Sequence, residues 1–290
     1  MNRSLAALAA IFVTAGCLAQ TPDVAIFSEL RPSLIFRNGD LPLLRWYDID
    51  GRSSVVGFKL ALENGARVKV AQRLQRIPGD PDPLDEYFID LRSEWKIGKQ
   101  YIPFGRRMII RESVPAVSFN TSLVFDGLPI EIAAFEGGRN YPRGISFRAG
   151  RNVGISAGIG NHLGVQGSSL TPFRHPSDAP GKGRGYQAMY GLDASVSMKG
   201  WNLGFEWASL REAENGLDPN LDLSEIRARI KFANLNTTVE AGWARSWADS
   251  MDTFRLGAEI SAGPKATILP TLRFDKNGFK DICLSALIKL

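Results

Sequence analysis

The chain has 290 residues, with 35 Lys and Arg against 30 Asp and Glu, and only two histidines and two cysteines. So few histidines and cysteines argue against a zinc cluster, a disulfide scaffold or a histidine-based triad. No apolar run of about 18 residues lies beyond the N-terminal segment, which excludes a membrane-spanning helix from the mature chain.

The chain opens with MNRSLAALAAIFVTAGCLAQ. Arg3 supplies a short positive start, residues 5–15 are apolar, and small residues follow. This is the pattern of a secretory signal peptide over 1–19, cleaved after Ala19. The alternative is a lipobox at TAGC, which would leave a lipid on Cys17. Cleavage removes Arg3 and no other charge, taking the formal net charge from +5 to +4, and leaves Cys283 as the single thiol. Residues 20–40 are read as an N-terminal lead-in, periplasmic or lumenal.

From residue 41 to 290 the period is two. In 66–77 Arg67, Lys69 and Arg73 alternate with Val68, Val70 and Leu74. In 201–209 Trp201, Leu203, Phe205 and Trp207 alternate with Asn202, Gly204, Glu206 and Ala208. In 223–233 Glu225, Arg227, Arg229 and Lys231 stand opposite Ile226, Ala228, Ile230 and Phe232. The same alternation runs through 253–261 and 281–290. It predicts strands with one apolar and one polar face. A soluble sandwich alternates too, so the connections have to decide. Tight turns at 62–67, 92–94, 125–129, 149–153, 198–202, 233–236 and 262–266 are interleaved with other connections. Most of those are longer: 77–86, 102–116, 136–143, 162–185, 211–222 and 248–252, with a short one at 275–278.

Alternating short and long connections are the signature of a transmembrane barrel, with short periplasmic turns and longer external loops. Counting hairpins from a first strand at 41–50 gives 16 strands, with both chain ends on the short-turn side. The range is 12 to 16, because 41–50 alternates poorly and the strands within 87–100 are short. The predicted fold class is therefore all-β: a transmembrane antiparallel up-and-down barrel. Tyr47, Tyr87, Trp95, Tyr101, Tyr190, Trp201, Trp207, Trp243, Trp247 and Phe279 lie near strand ends, where interfacial girdles are expected.

At WKIGKQYIPFGRR, residues 95–107, the sequence resembles bacterial outer-membrane porins of the general and phosphate-selective types. The likeness is one of pattern over the whole mature chain and of residues in this motif alone. The last strand resembles an outer-membrane sorting signal, but ends in Leu290 where an aromatic is usual. The resemblance implies that residues 96–101 end a strand and that 102–116 folds inward as a constriction. That segment carries Arg106, Arg107 and Arg111 against Glu112. Lys59, Arg67, Lys69, Arg73, Lys96, Arg227, Arg229, Lys231, Arg255 and Arg273 would line the lumen, balanced by Glu63, Asp90, Glu225, Glu240 and Glu259. A ring of cations favours anions in a pore.

The implied activity is passive diffusion of small hydrophilic solutes, with an anion preference, across the bacterial outer membrane after export. The implied partners are outer-membrane lipid, lipopolysaccharide and two further copies in a homotrimer. No catalytic residue, metal or cofactor is needed.

Rival readings are a non-conducting barrel acting as scaffold or adhesin, a barrel hydrolase, and a secreted β-sandwich. For a hydrolase, His162 and His175 both fall in or beside one long loop, and no Gly-x-Ser-x-Gly elbow is present. The acids in 79–86 and 217–225 do not match a calcium-binding EF-hand loop and read as solvated loop acids. Nucleic acid is not an expected partner, because the cations alternate around a lumen instead of forming one patch.

Overall fold

The computed structural model describes residues 23–290 apart from 38, 49–51, 63–64, 76–82, 93, 111–112, 122–126, 137–142, 162–186, 213–220 and 248–249. The signal peptide expected over 1–19 lies outside the described residues. The first five strands are β1 (Asp23–Leu30), β2 (Ser33–Arg37), β3 (Leu43–Arg45), β4 (Val55–Ala61) and β5 (Ala66–Arg73). Then come β6 (Leu84–Leu91), β7 (Trp95–Tyr101), β8 (Ser113–Thr121), β9 (Ile130–Glu136), β10 (Arg143–Gly150) and β11 (Val153–Asn161). The longer strands follow: β12 (Gln187–Met198), β13 (Trp201–Glu212), β14 (Leu221–Phe232), β15 (Thr237–Ser246), β16 (Met251–Gly263), β17 (Ala266–Asp275) and β18 (Gly278–Lys289).

From β4 to β18 each strand pairs antiparallel with the next. The two edges of this sheet meet at the N-terminal strand. β1 pairs along β4, with Asp23 opposite Ala61 and Glu29 opposite Val55. β2 runs on from β1 and pairs with β18, Ser33 opposite Ser285 and Arg37 opposite Asp281. Glu29 and Leu30 also face Lys289 and Ile288. With β1 and β2 counted as one strand and the short β3 set aside, the wall is a closed up-and-down barrel of sixteen strands.

The expected strand number holds, but its starting point changes. Residues 23–37 are wall, not lead-in, and within 41–50 only Leu43–Arg45 form a strand. The physical cause is Pro32, which has no N–H to give the ladder and splits the run into two short pieces. Each piece is too brief for its alternation to stand out. Downstream, residues 46–48 and 52–54 turn inward. Asp48 N–H donates to Arg52 O at 3.0 Å, and Asp48 is buried.

The polarity of the two faces follows from the period of two. Outward positions are apolar and exposed: Ile145, Ile155 and Ile159, then Leu192, Leu203, Phe254, Leu256 and Leu284. Trp95, Trp201 and Trp247 stand at outward strand ends, each about half exposed. Trp95 stacks on Phe119 with ring centroids 4.7 Å apart. Two of the expected girdle aromatics belong elsewhere. Tyr47 is buried, and the Tyr101 hydroxyl lies 3.4 Å from Asp85, which also binds Arg73.

Candidate functional site

Residues 102–110 leave the wall after β7 and lie inside the barrel. Pro103 ends the hydrogen-bond ladder, and Gly105 takes φ +50°, a left-handed conformation that glycine adopts without strain. Arg107 follows at φ +60°. The segment is amphipathic in three dimensions without being regular. Ile102, Phe104, Ile109 and Ile110 are essentially fully buried. They form one core with Val114 and Ala116 of β8, Phe135 of β9, Met189 of β12, Ala208 and Leu210 of β13 and Leu223 of β14. Phe104 needs the missing side chain of Gly191, since a Cβ there would sit 2.7 Å from the ring.

A single carboxylate holds the backbone of the segment. Glu206, fully buried on β13, accepts from Arg106 N at 2.7 Å, Met108 N at 3.0 Å and Ile109 N at 3.2 Å. Gly105 N donates to Ser156 Oγ at 3.0 Å. A Cβ on Gly105 would fall 2.4 Å from the Glu206 carboxyl carbon, so glycine is required there by space as well as by φ.

The two described arginines of the segment have different fates. Arg106 Nε lies 3.0 Å from Asp193, which Arg148 also binds at 2.6 Å. Arg106 Nη2 donates to the carbonyls of Arg151 at 2.5 Å and Asn152 at 3.1 Å. Its charge is therefore neutralised by Asp193, and its Nη2 is bound by two backbone carbonyls. Arg107 is exposed, and its guanidinium stands 5.0 Å from the centroid of the Tyr101 ring. Arg111 and Glu112 lie outside the described residues, as do His162 and His175.

Most of the lumen cations are ion-paired. Arg73 meets Asp85 at 2.8 Å, Arg255 meets Glu240 at 3.0 Å, and Arg273 donates to Asp281 at 2.8 Å. Lys69 pairs with Glu86, Arg227 with Glu225, and Arg229 with both Glu240 and Glu259. Lys59, Arg67, Lys96 and Lys231 are on the inward face with no ion pair among the described residues. Glu63 is outside the described residues.

A second insert faces this wall. Asp48 accepts from Arg31 at 3.2 Å and from Arg52 at 2.7 Å. With Arg52 it lines a small pocket shared with Glu240, Arg255 and Glu259.

Glu206, Asp193 and Asp48 were not singled out from sequence. Glu206 reads there as one more polar residue on an alternating strand. Its inward neighbours Gly204, Ala208 and Leu210 were the available signal, because an acid among small and apolar lumen positions needs a partner brought to it.

These features define a closed antiparallel barrel with an apolar outer face, a charged inner face and a chain segment clamped inside it. Solved outer-membrane barrels have this fold. A loop-deleted OmpT, an outer membrane protein of Vibrio cholerae, matches with a TM-score of 0.63 at 14% identity, over 93% of this chain and 100% of that one. The trimer form of OmpT from the same organism matches with a TM-score of 0.63 at 12% identity, over 93% and 100%. An anion-selective porin from Comamonas acidovorans matches with a TM-score of 0.63 at 11% identity, over 93% and 99%. At such identities the likeness is one of fold. No family model and no curated protein matches the sequence.

Proposed function

We propose that the protein is a bacterial outer-membrane channel for passive diffusion of small hydrophilic solutes, with a preference for anions. The observation that carries this reading is the 102–110 segment, fixed inside a closed barrel whose inner face is charged and whose outer face is apolar. Exposed apolar side chains distributed around the barrel need lipid against them, not water. The fold shared with an anion-selective porin supports the same reading, and a related fold in trimer form supports a homotrimer. Export by a signal peptide, contact with lipopolysaccharide and the absence of any catalytic step belong to this proposal.

Selectivity on this reading comes from geometry and fixed charge. The inward segment narrows the lumen from the side of β8–β14. Paired arginines and unpaired cations share the inner face around it, on β4–β7 and on β14–β17. Passing anions meet the unpaired charges first, since an ion-paired guanidinium presents a much weaker field.

The second insert, at Asp48 and Arg52, favours one alternative: a barrel filled from both sides and serving as a non-conducting scaffold. Single-channel conductance in a planar bilayer separates the two. Discrete steps and an anion-directed reversal potential in a salt gradient are expected. A folded, inserted barrel that gives no steps would rule out the channel.

A further inference from the structure

Lys59, Lys69, Phe88 and Lys96 lie on the inner face of β4–β7, near the end of β4 and the start of β7. Lys59 and Lys69 are direct cross-strand partners, an arrangement of like charges that destabilises a sheet unless something offsets it. Lys69 has Glu86. Lys59 is exposed and has no carboxylate partner among the described residues; its ammonium stands 5.0 Å from the Phe27 ring centroid. On the next strand Phe88 lies opposite Lys69. Its ring is flanked by two ammoniums, Lys96 Nζ at 4.9 Å and Lys69 Nζ at 5.9 Å from the centroid. Lys96 also makes no ion pair among the described residues, although Asp90 lies between it and Arg67 in register.

The two uncommitted ammoniums, Lys59 and Lys96, thus stand on strands separated by β5 and β6 and two residues out of register, roughly 16 Å apart at the backbone. Lys96 already lies against the Phe88 ring, and rotation of the flexible Lys59 stem from Phe27 would bring its ammonium toward the other side of that ring. A single oxyanion would satisfy one of them. Two carboxylates joined by an apolar spacer would satisfy both and lay the spacer on the phenyl ring between them. We infer that this patch is a binding station for small dicarboxylates with a flat apolar spacer. The inference deepens the anion preference proposed above and names a solute class for it.

The test is calorimetric titration of the purified barrel in detergent micelles with terephthalate, benzoate and inorganic phosphate. Saturable terephthalate binding is expected, with benzoate and phosphate about tenfold weaker, the loss of one charge-assisted contact. Lys59→Met and Lys96→Met should each cost terephthalate a similar factor, while Lys59→Arg and Lys96→Arg retain it. No saturable terephthalate binding overturns the station. Equal affinity for benzoate removes its two-ended character, and equal affinity for phosphate removes the role of the ring; either result overturns it too. The comparison of ligands on the unaltered protein stands even where a variant fails to fold. Micelle binding does not depend on conduction, so a barrel that binds but gives no conductance steps sinks the channel and keeps the station. One that conducts without binding does the reverse.

Discussion

Two adjacent arginines in the inward segment carry the same formal charge and should contribute unequally to selectivity. Arg106 is committed to Asp193 and two backbone carbonyls, whereas Arg107 is exposed over Tyr101. Arg107→Ser is therefore expected to lower the anion-to-cation permeability ratio by roughly twofold, a fraction of a kcal/mol at these distances in water. Arg106→Ser should change the ratio less, because the ion-paired Arg106 presents a weaker field and Asp193 keeps Arg148 when it is lost. Reversal potentials in a salt gradient give both values. If Arg106→Ser has the larger effect on an intact barrel, the assignment of free and committed charge is wrong.

Glu206 bears a heavier burden. Its replacement by alanine leaves three backbone N–H groups without an acceptor, the buried one of Ile109 costing about 1–3 kcal/mol and the part-buried ones of Arg106 and Met108 less. The segment should then detach while the wall stays closed. Glu206→Ala is expected to make residues 102–110 susceptible to protease and to raise single-channel conductance and its noise. An unchanged cleavage pattern and unchanged current would show that the apolar contacts hold the segment alone.

Among the elements, the inward segment is held by an apolar core that it shares with the wall. Phe104 is its largest apolar anchor and rests in the gap left by Gly191. Phe104→Ala should cost about 3–5 kcal/mol of docking free energy, the usual range for a deleted core phenylalanine. Hydrogen exchange at Met108 and Ile109 would read this directly, since their amides are protected only while Glu206 accepts from them.

The break that starts this element was legible in the sequence, because Pro103 and Gly105 stop a ladder wherever they occur. Its fate was not. Ile102, Phe104, Ile109 and Ile110 sit at no regular period, and their partners on β8–β14 are as far as 120 positions away. The pairing of Arg106 with Asp193 is remote too, which is why its charge looked free. The long strands were the opposite case. In β13 Trp201, Leu203, Phe205 and Trp207 announce the outer face over consecutive alternate positions, and the structure follows them. Where Pro32 interrupts the first strand, the same rule had too few residues to work with.

At the scale of the whole molecule, stability depends on a seam. β2 meets β18 over five positions, and Ser33 Oγ lies 2.7 Å from Ser285 Oγ. Ser33→Cys with Ser285→Cys, in a Cys283→Ser background to remove the neighbouring thiol, should form a disulfide, since direct strand partners bring their Cβ atoms within bonding reach. The oxidised protein should resist heating in detergent to a higher temperature than the reduced one, as seen by gel mobility. Failure to cross-link under oxidising conditions would mean that the N-terminal strand does not close this barrel.

That seam also fixes an order of events in time. Glu29 faces Lys289 and Leu30 faces Ile288, so the first wall strand cannot complete its pairing until the last has arrived. Until then the growing sheet has two open edges, each able to recruit a foreign strand. Contacts so distant along the chain also form late and slowly, because loop closure must come before any of their hydrogen bonds. The period of greatest exposure to misassembly therefore comes just before completion, when nearly all of the wall exists and only its join is missing.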